Sequence, residues 1–548
     1  MRHTAIFIVL FVITACTDTT TRSVAASCGT SATALAEVQG DRGTSPLEGR
    51  SVTVEATVTA DFRDGLGGFF IEADGDALFV SSDAEVVVGD LVRVSGVVRE
   101  IERLTSLDDI DDVTHCGAGR PPSPTKVGLP LRGHIEGWES RFIHIDERLT
   151  ITKSYDLDDE GQLGIAANGR LFAPTNGTGA DSRDNLRRSL TLDDGNRREP
   201  RTAPYLIDGQ PPRLGDTIDG VTGILVEDDG EWMLHPTQSP TLRATAERPS
   251  ATPPAVGGRF TVANFNVQNY FLTLGERGAQ DRAELDRQRK KLLATLSAFD
   301  ADVLALVEIE NRRDDALEDL VDRLAKETGH PWTYVPGTGL DWMRDPIRVG
   351  LAYRSDRVET VGKPINDPDS VFRRPPHAQT FKAGDETFTV VVAHLKSKSC
   401  RDATGAEKNH HGQGCWNHLR TKQARRLLDF IDRLQGQTGE SNVLLVGDLN
   451  AYGGEDPIRA LTDGGLTDLV AQHVPANERY SFVYGGAAGY LDYALATSSL
   501  VRSVTGAAFW PINADAAAML GYRNEDLYAP SPERSSDHDP LFVGLFRK

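Results

Sequence analysis

The sequence lacks three features that would assign it to common protein classes. Beyond its first residues, no apolar run is long enough to cross a bilayer, so no further membrane-spanning helix is expected. It has no tandem repeat of fixed period, so it is not an array of repeated units. It also lacks an excess of basic residues: 59 Lys and Arg against 80 Asp and Glu give a net charge of −21. An acidic chain repels polyanions at long range, which argues against a protein that coats DNA.

The N-terminus carries an apolar stretch that resembles an export signal. Arg2 precedes a run from Ala5–Ala15, which is too short for a permanent membrane helix and is typical of a secretory signal. The tetrapeptide ITAC resembles a bacterial lipobox, so we expect a signal peptide over residues 1–15 and a lipid on Cys16. Ordinary signal cleavage near Ala25–Ala26 is the alternative. The chain is thus expected to be exported, as an outer-membrane or surface lipoprotein or as a secreted or periplasmic protein.

Cysteine is scarce, with five in 548 residues. Without Cys16 four remain, and an even number in an exported chain indicates two disulfides. We predict the pairs Cys28–Cys116 and Cys400–Cys415. A zinc site at the second pair is the less favoured alternative, because the spacing matches no common zinc pattern. Its further ligands would be His410, His411 and His418.

The length predicts two to four domains. After a Thr/Ser-rich tether over 16–27, residues 28–118 alternate apolar and polar positions between Gly and Asp turns, as in a small OB-like β-barrel. Residues 119–245 are again β-rich, and a Pro- and Ala-rich stretch over 246–258 predicts a linker. The last domain is expected to span 259–548.

The OB-like segment has two interpretations. OB folds often bind single strands on aromatic side chains in a basic groove. The aromatic residues of this segment are Phe62, Phe69, Phe70 and Phe79. The acidic stretch LDDIDDV from Leu107 is unfavourable for phosphates, so a structural or protein-docking barrel is the favoured interpretation.

The second half contains six apolar runs of strand length, each with a polar cluster beside it. The runs are FTVANFNVQN, ADVLALVEIEN, FTVVVAHLKSK, NVLLVGDLNAY, YLDYALA and SSDHDPLFVGL. Helical patterns over Arg282–Phe299 and Leu419–Leu434 lie between them. Strands with intervening helices predict an α/β domain, a two-sheet sandwich with helices outside. Residues 344–426 hold 16 basic and 9 acidic residues, a local basic zone beside these motifs.

Together these motifs resemble the endonuclease/exonuclease/phosphatase superfamily, the DNase I-like hydrolases, and within it multidomain extracellular bacterial nucleases with an N-terminal OB-like domain. The resemblance implies that Asn266, Glu308 and Asp537 hold a divalent metal. It implies catalytic roles for His394, Asp448, Asn450, Asp492 and His538. It implies phosphate contacts by Arg348 and Arg374, whereas Lys396 and Arg420 are expected to be solvated surface cations. Asp492 is expected to orient a histidine, either His394 or His538.

The resemblance therefore implies a metal-dependent phosphodiesterase. Hard oxygen ligands favour Mg²⁺, with Mn²⁺ or Ca²⁺ as alternatives. The expected substrate is nucleic acid, DNA first and RNA second, cut by an extracellular endonuclease that acts as a monomer. Two other functions are open. One is a sphingomyelinase-like enzyme of the same fold acting on a non-nucleic phosphodiester, and the other is a non-catalytic surface binding module.

Overall fold

The structure is a computed structural model. It describes residues 28–40, 43–120, 122–133, 135–198, 203–228, 230–337, 345–409 and 411–547. The expected signal peptide, the tether and the lipidation site at Cys16 lie outside these residues, as does His410.

The first strands close into a five-stranded barrel in the order β1-β2-β3-β5-β4. Their bounds are β1 Ser51–Phe62, β2 Gly68–Ala73, β3 Asp76–Ser81, β4 Asp90–Ile101 and β5 Leu104–Ala118. Alternation in β1 points Val54, Ala56 and Val58 into the barrel. The disulfide Cys28–Cys116 joins the segment before β1 to the end of β5. A closed barrel thus lies where the sequence predicts an OB-like one, and the OB assignment stays a prediction.

The aromatic residues of the barrel do not form an open platform. Phe69 and Phe70 are fully buried, and Phe70 and Phe79 pack with Phe142 and Met233 of the next sheet. An aromatic cluster that is covered by another sheet cannot stack on bases. Phe69, inside the barrel core, and Phe70 and Phe79, at the interface between the two sheets, are therefore not available for stacking on bases.

The next sheet has seven strands in the order β13-β11-β12-β10-β8-β7-β6. Its strands are β6 Thr125–Val127, β7 Phe142–Lys153, β8 Gln162–Ala166, β10 Ser189–Asp193, β11 Thr217–Asp228, β12 Glu231–Pro236 and β13 Leu242–Arg243. We call this part, with the short strand β9 at Leu171–Phe172, the β-rich unit. Inward-facing Ile and Leu side chains of its strands form a core that also includes Ala517 and Met519 from the second half of the chain.

The second half of the chain is a sandwich of two six-stranded sheets. The first has the order β16-β17-β15-β14-β27-β26 and the second the order β18-β19-β20-β21-β25-β22. The first comprises β14 Phe260–Tyr270, β15 Val303–Glu310, β16 Trp332–Tyr334, β17 Ile347–Arg354, β26 Val504–Phe509 and β27 Leu541–Leu545. The second comprises β18 Glu359–Asn366, β19 His377–Ala383, β20 Glu386–His394, β21 Val443–Asp448, β22 Thr467–Asp468 and β25 Asp492–Ala496. The main apolar core includes side chains from both sheets, as expected for a sandwich.

Helices cover the outer faces of the sandwich. The helices of the described residues are α1 Leu35–Gln39, α2 Ser182–Arg187, α3 Arg282–Ser297, α4 Asp315–Thr328, α5 Asn417–Thr438, α6 Asp456–Asp463, α7 Leu469–His473 and α8 Ser498–Val501. Short 3-10 turns occur at Ile135–Trp138, Pro174–Asn176, Gly405–Glu407, Ala476–Glu478 and Ala518–Leu520. In α3 the apolar face predicted from the sequence is buried at Leu285, Leu292 and Leu296. None of the helices in these ranges is both long enough and apolar enough to cross a membrane.

The second disulfide closes the loop before α5. Cys400 and Cys415 are bonded to each other, so their sulfurs are not available as zinc thiolates. The zinc alternative for this loop is therefore wrong.

Candidate active site

The polar clusters of the sequence meet at one edge of the sandwich. In the second sheet, β20 and β21 pair in parallel so that His394 lies opposite Asp448. β25 runs antiparallel to β21. Its first residue, Asp492, therefore lies opposite Asp448, the last residue of β21. In the first sheet, β14 and β15 pair in parallel and bring Asn266 beside Val307, next to Glu308. Strand ends far apart in sequence thus deliver their side chains to one place.

Asp537 and His538 reach this place from the opposite direction. They precede β27, which is antiparallel to β14 and pairs Leu541 with Asn264. The entry to β27 therefore lies at the same edge as the end of β14. The polar residues come before β27, and Asp492 likewise begins β25, whereas His394 and Asp448 end their strands.

Asp492 is paired with His538. Nδ1 of His538 lies 2.8 Å from Oδ2 of Asp492, which is fully buried. Ser481 donates its hydroxyl to the same Asp492 oxygen at 2.7 Å, and the Asn264 amide donates to the other oxygen at 3.2 Å. The sequence left His394 and His538 open as partners of Asp492, and the contact decides for His538.

The environment of His538 favours its protonated form. Burial alone would lower the pKa of this imidazole, but the carboxylates of Asp492, Asp537 and Asp448 outweigh burial and raise the pKa well above its usual range. Phe482 stacks on the His538 ring, with centroids 4.7 Å apart and planes at 29°. The hydrogen bond and the stacked ring together fix the orientation of the imidazole.

Asp448 lies between the two histidines. Its Oδ2 is 3.5 Å from Nε2 of His394 and 4.0 Å from Nε2 of His538. The amide of Asn266 donates to this oxygen at 3.5 Å, and the backbone N–H of Asn450 donates to Oδ1 at 2.8 Å. Burial raises the pKa of Asp448 despite the nearby His538. This carboxylate is therefore held in place by donors and is strongly basic for an aspartate.

His394 has the opposite electrostatic environment. Burial, followed by the charges of Arg374 and His538, lowers its pKa well below the usual range. The imidazole is therefore neutral at physiological pH, so one ring nitrogen donates and the other accepts. The two histidines of the site are thus in different protonation states.

Glu308 and Asp537 form the second acidic part of the site. Glu308 sits at a positive φ of 67°, and one carboxylate oxygen accepts the backbone N–H of Asn269 at 3.0 Å. Desolvation and the negative charge of Asp537 raise the pKa of Glu308, while a hydrogen bond from Asn266 lowers it. Two neighbouring carboxylates that repel each other in this way are stabilised by a cation.

The donor set fits a small divalent cation that keeps bound waters. Within the described ranges, no three His, Cys, Asp or Glu side chains form a compact cluster suited to a metal. Mg²⁺ does not need such a cluster, because it is usually held by one or two carboxylates and several waters. Glu308 and Asp537, with the amide oxygen of Asn266, meet that requirement.

A family model for the endonuclease/exonuclease/phosphatase family matches residues 263–538, half of the chain, from β14 to His538. The chain belongs to this family. Members of the endonuclease/exonuclease/phosphatase family are hydrolases that act on phosphoesters, and they generally use divalent metal ions. No curated protein matches the chain in sequence.

Several solved structures are similar to the catalytic half. An endonuclease/exonuclease/phosphatase from Bacteroides vulgatus is 15% identical and covers 53% of this chain and 99% of its own, with a TM-score of 0.37. TDP2 from D. rerio with a single-strand DNA product is 16% identical and covers 52% and 97%, with a TM-score of 0.34. The mannosyl-6-phosphatase of Bacteroides thetaiotaomicron is 16% identical and covers 52% and 99%, with a TM-score of 0.37. These similarities do not identify the substrate of the present family member.

The two arginines expected to contact phosphate differ in position. Arg374 lies beside the site: it donates to the backbone carbonyl of Leu395, and its charge acts on both Glu308 and Asp448. Arg348 is buried and bonded to Asp314 at 2.5 Å and to the carbonyl of Arg313 at 2.8 Å. The assignment of Arg348 to phosphate binding is not supported, because its guanidinium anchors the start of α4.

Arg420 is not a solvated surface cation, contrary to expectation. It is fully buried and donates to four backbone carbonyls. Two of these belong to the disulfide-closed loop, at Gln413 and Cys415, and two to Lys396 and Ser397 just before it. Lys396 is half-buried, and burial together with Arg374 and Arg373 lowers its pKa. Lys396 therefore belongs to a group of positive charges, with Arg373 and Arg374, close to His394.

Four residues of the site were missed by sequence reasoning. They are Asn264, Arg277, Ser481 and Phe482. Asn264 was detectable, because it lies two positions before Asn266 on one strand and so shares its face. The hairpin residues Ser481 and Phe482 carry no sequence signal, since their contacts with Asp492 and His538 are made through the fold. Arg277 lies in an exposed loop and acts electrostatically on His394.

Proposed function

We propose that this protein is a metal-dependent nuclease that hydrolyses phosphodiester bonds of DNA outside the cytoplasm. The observation that carries the proposal is the Asp492–His538 pair, with Asp448 4.0 Å from the other ring nitrogen of His538. A hydrogen-bonded acid–imidazole pair next to a second buried carboxylate is suited to moving protons at a phosphate.

The side chains divide the work as follows. Asp448 orients the attacking water and accepts its proton, because its two oxygens are fixed by Asn266 and Asn450 and its pKa is raised. His538 presents a positive Nε2–H to the developing charge on the phosphoryl oxygens. Asn450 uses one amide hydrogen on the carbonyl of Leu395 at 3.2 Å, which leaves the second for a phosphate oxygen.

Two further groups face the phosphate from the other side. Arg374 adds positive charge near Glu308 and Asp448. A Mg²⁺ or Mn²⁺ ion held by Glu308, Asp537 and Asn266 would polarise a phosphoryl oxygen and stabilise the leaving oxygen.

The charge around the site favours a polyanionic substrate. Arg277 and Arg373 are exposed, Lys396 is half-buried, and all three influence the pKa of groups at the site. Several cations around one reacting phosphate are suited to a strand of phosphates. A zwitterionic lipid headgroup carries no such run of negative charge.

The test is digestion of supercoiled plasmid with Mg²⁺. We expect nicked and linear products, loss of cleavage with EDTA, and loss of cleavage in His538→Ala. Turnover of sphingomyelin vesicles with no DNA cleavage would contradict the nuclease proposal and favour the same chemistry on a lipid. Inactivity on both, in protein that is folded and binds metal, would favour a non-catalytic binding module.

We also propose export with a lipid on Cys16. The support is the leader sequence and the two disulfides, which persist in oxidising compartments. Mass analysis of the mature N-terminus should show a diacylglycerol-modified cysteine in the native protein and none in Cys16→Ala. A mature chain that begins near residue 26 without lipid would contradict lipidation and leave export standing.

A further inference from the structure

A cleft of about 510 Å³ runs between the β-rich unit and the catalytic half, and most of its lining residues have no role in the reaction described above. One wall belongs to the β-rich unit and includes Lys153–Asp156 and Leu214. The other wall belongs to the catalytic half and includes Phe482–Gly486, Arg534 and Asp537. Asp537 is one of the two acids placed at the metal, so this cleft opens directly onto the active site.

Two exposed tyrosines line this cleft. The chain has 12 tyrosines, all within the described residues, and only Tyr155 and Tyr484 are exposed, at 69% and 76%. Both line the cleft, and they come from different halves of the chain. A single exposed aromatic side chain is common on protein surfaces, but two that line one cleft are typical of a ligand-binding surface.

Tyr484 lies on the same short strand as Phe482, whose ring stacks on His538. It ends strand β23, Phe482–Tyr484, which pairs with β24, Ala487–Gly489, across a turn at Gly485 and Gly486. Both glycines have positive φ, and a Cβ on Gly486 would lie 3.4 Å from the hydroxyl of Thr152 in the β-rich unit. β24 also pairs in parallel with β9 of the β-rich unit. The hairpin that carries Tyr484 therefore bridges the two halves, and its first residue stacks on His538.

The other groups of the cleft suit a nucleotide. Arg534 donates to the carbonyls of Asn513 and Ala516. Burial lowers its pKa, although the nearby acidic groups of Asp537, Asp539 and Tyr155 oppose this. Lys153 is paired with Asp156 at 2.6 Å, so the wall next to Tyr155 is neutral overall. Flat aromatic faces with one cation near the reacting phosphate match a base and its backbone. An acyl chain would instead need an enclosed apolar channel.

We propose that this cleft binds the nucleotide next to the scissile phosphate and that Tyr155 and Tyr484 stack on its base. The inference rests on the proposed nuclease function and adds that the β-rich unit contributes directly to substrate binding. Stacking tolerates every base, so this contact adds affinity without sequence preference.

The experiment uses the full chain with Mg²⁺ and single-stranded oligonucleotides in which one linkage is a natural phosphodiester and the rest are phosphorothioates. Each oligonucleotide carries either a normal or an abasic nucleotide beside that linkage, on one side or the other. For the native protein, we expect the abasic nucleotide on one side to lower kcat/KM by roughly 5- to 150-fold. In the double variant Tyr155→Ala, Tyr484→Ala, kcat/KM on the normal strand should fall by a similar factor, and the abasic effect should disappear.

Two controls separate stacking from folding. Tyr155→Phe and Tyr484→Phe keep the rings and should retain native kcat/KM and the abasic effect. Leu186→Ala removes an exposed apolar side chain of the β-rich unit outside the cleft and should change neither. Native protein that cleaves these strands with no abasic effect, or a double variant that cleaves like native protein, overturns the base-binding cleft and leaves the nuclease standing. Native protein that cleaves no nucleic acid at all overturns the proposed function itself.

Discussion

Asn176 of the β-rich unit accepts a hydrogen bond from the backbone N–H of Tyr490, two residues before Asp492, at 3.0 Å. Its amide group also donates to the carbonyl of Arg479 at 2.9 Å. The buried Asn176 side chain thus connects both ends of the segment that carries Ser481, Phe482 and Asp492. The β-rich unit thus helps to support the Asp492–His538 pair.

Asn176→Ala should therefore weaken both stability and catalysis. The variant leaves a buried N–H and a buried carbonyl unpaired, each at a cost of about 1–3 kcal/mol. We expect a lower melting temperature and a lower kcat, with KM changed less. Asn176→Asp is the matched variant, because it keeps the acceptor for Tyr490 but sets a buried carboxylate against the carbonyl of Arg479. A loss at least as large in Asn176→Asp as in Asn176→Ala is expected, and native stability and activity in both variants would contradict this role.

Asp492→Asn should reduce catalysis nearly as much as His538→Ala. The carboxylate fixes the Nδ1–H of His538 and supports its positive charge, and loss of such a group costs roughly 10²- to 10⁴-fold in rate. The measurement is kcat on a fluorogenic oligonucleotide, with circular dichroism as the folding control. The double variant should be no slower than the slower single variant, because the two residues act as one unit. A rate loss in the double variant equal to the product of the two single losses would show that the two residues act separately.

Stability should fall as the pH rises, because of Glu139. This buried residue of the β-rich unit accepts hydrogen bonds from the side chain of Gln39 and the backbone N–H of Thr105 in the barrel. Burial raises its pKa to about 7. A raised pKa in the folded state contributes stability that is present below the unfolded value near 4.5 and is lost as the pH rises through about 7.

Glu139→Gln removes this titration and can still bond to Gln39. The variant should be more stable than the native protein at about pH 8, by about 1–3 kcal/mol, and the difference should shrink towards about pH 5. Thermal denaturation of the full chain at the two pH values measures it. A difference between the two proteins that does not depend on pH would show that Glu139 is already ionised at low pH.

The disulfide Cys400–Cys415 should support the active site. It closes a loop with a sequence separation of 15, and the carbonyl of Cys415 accepts from buried Arg420. Lys398, two residues before Cys400, is bonded to Glu455, which follows the turn at Asp448. The double variant Cys400→Ser, Cys415→Ser should lose about 3 kcal/mol of stability and part of its activity. Cys28→Ser, Cys116→Ser, which opens the barrel disulfide, should leave kcat closer to native.

Local patterns in the sequence are sufficient to predict the strands of the sandwich and most of the site. A buried strand that ends in Asp448, and a helix such as α3 with one apolar face, are encoded by neighbouring residues. The partner of Asp492 is not predictable in this way. It depends on which strand lies beside β14, and that is decided by packing across the whole sandwich.

The directions of side chains and the contacts between distant segments also could not be predicted from the sequence. Arg348 lies on a strand of the first sheet, yet its guanidinium turns to Asp314 because a buried charge needs its partner. Phe70 is an aromatic residue of the kind that stacks on bases, but a sheet formed by a later part of the chain covers it. The pairing of β24 with β9, more than 300 residues apart, leaves no local pattern at all.

The most direct test of the account is calorimetric titration of Mn²⁺ into the native protein and Glu308→Gln, with plasmid cleavage measured on the same samples. We predict that the native protein binds Mn²⁺ and cuts plasmid only when metal is present. Glu308→Gln should lose at least about 10- to 100-fold in metal affinity and a comparable factor in cleavage. Native affinity and native cleavage in Glu308→Gln, or plasmid cleavage that persists in EDTA, would contradict a metal centre at Glu308.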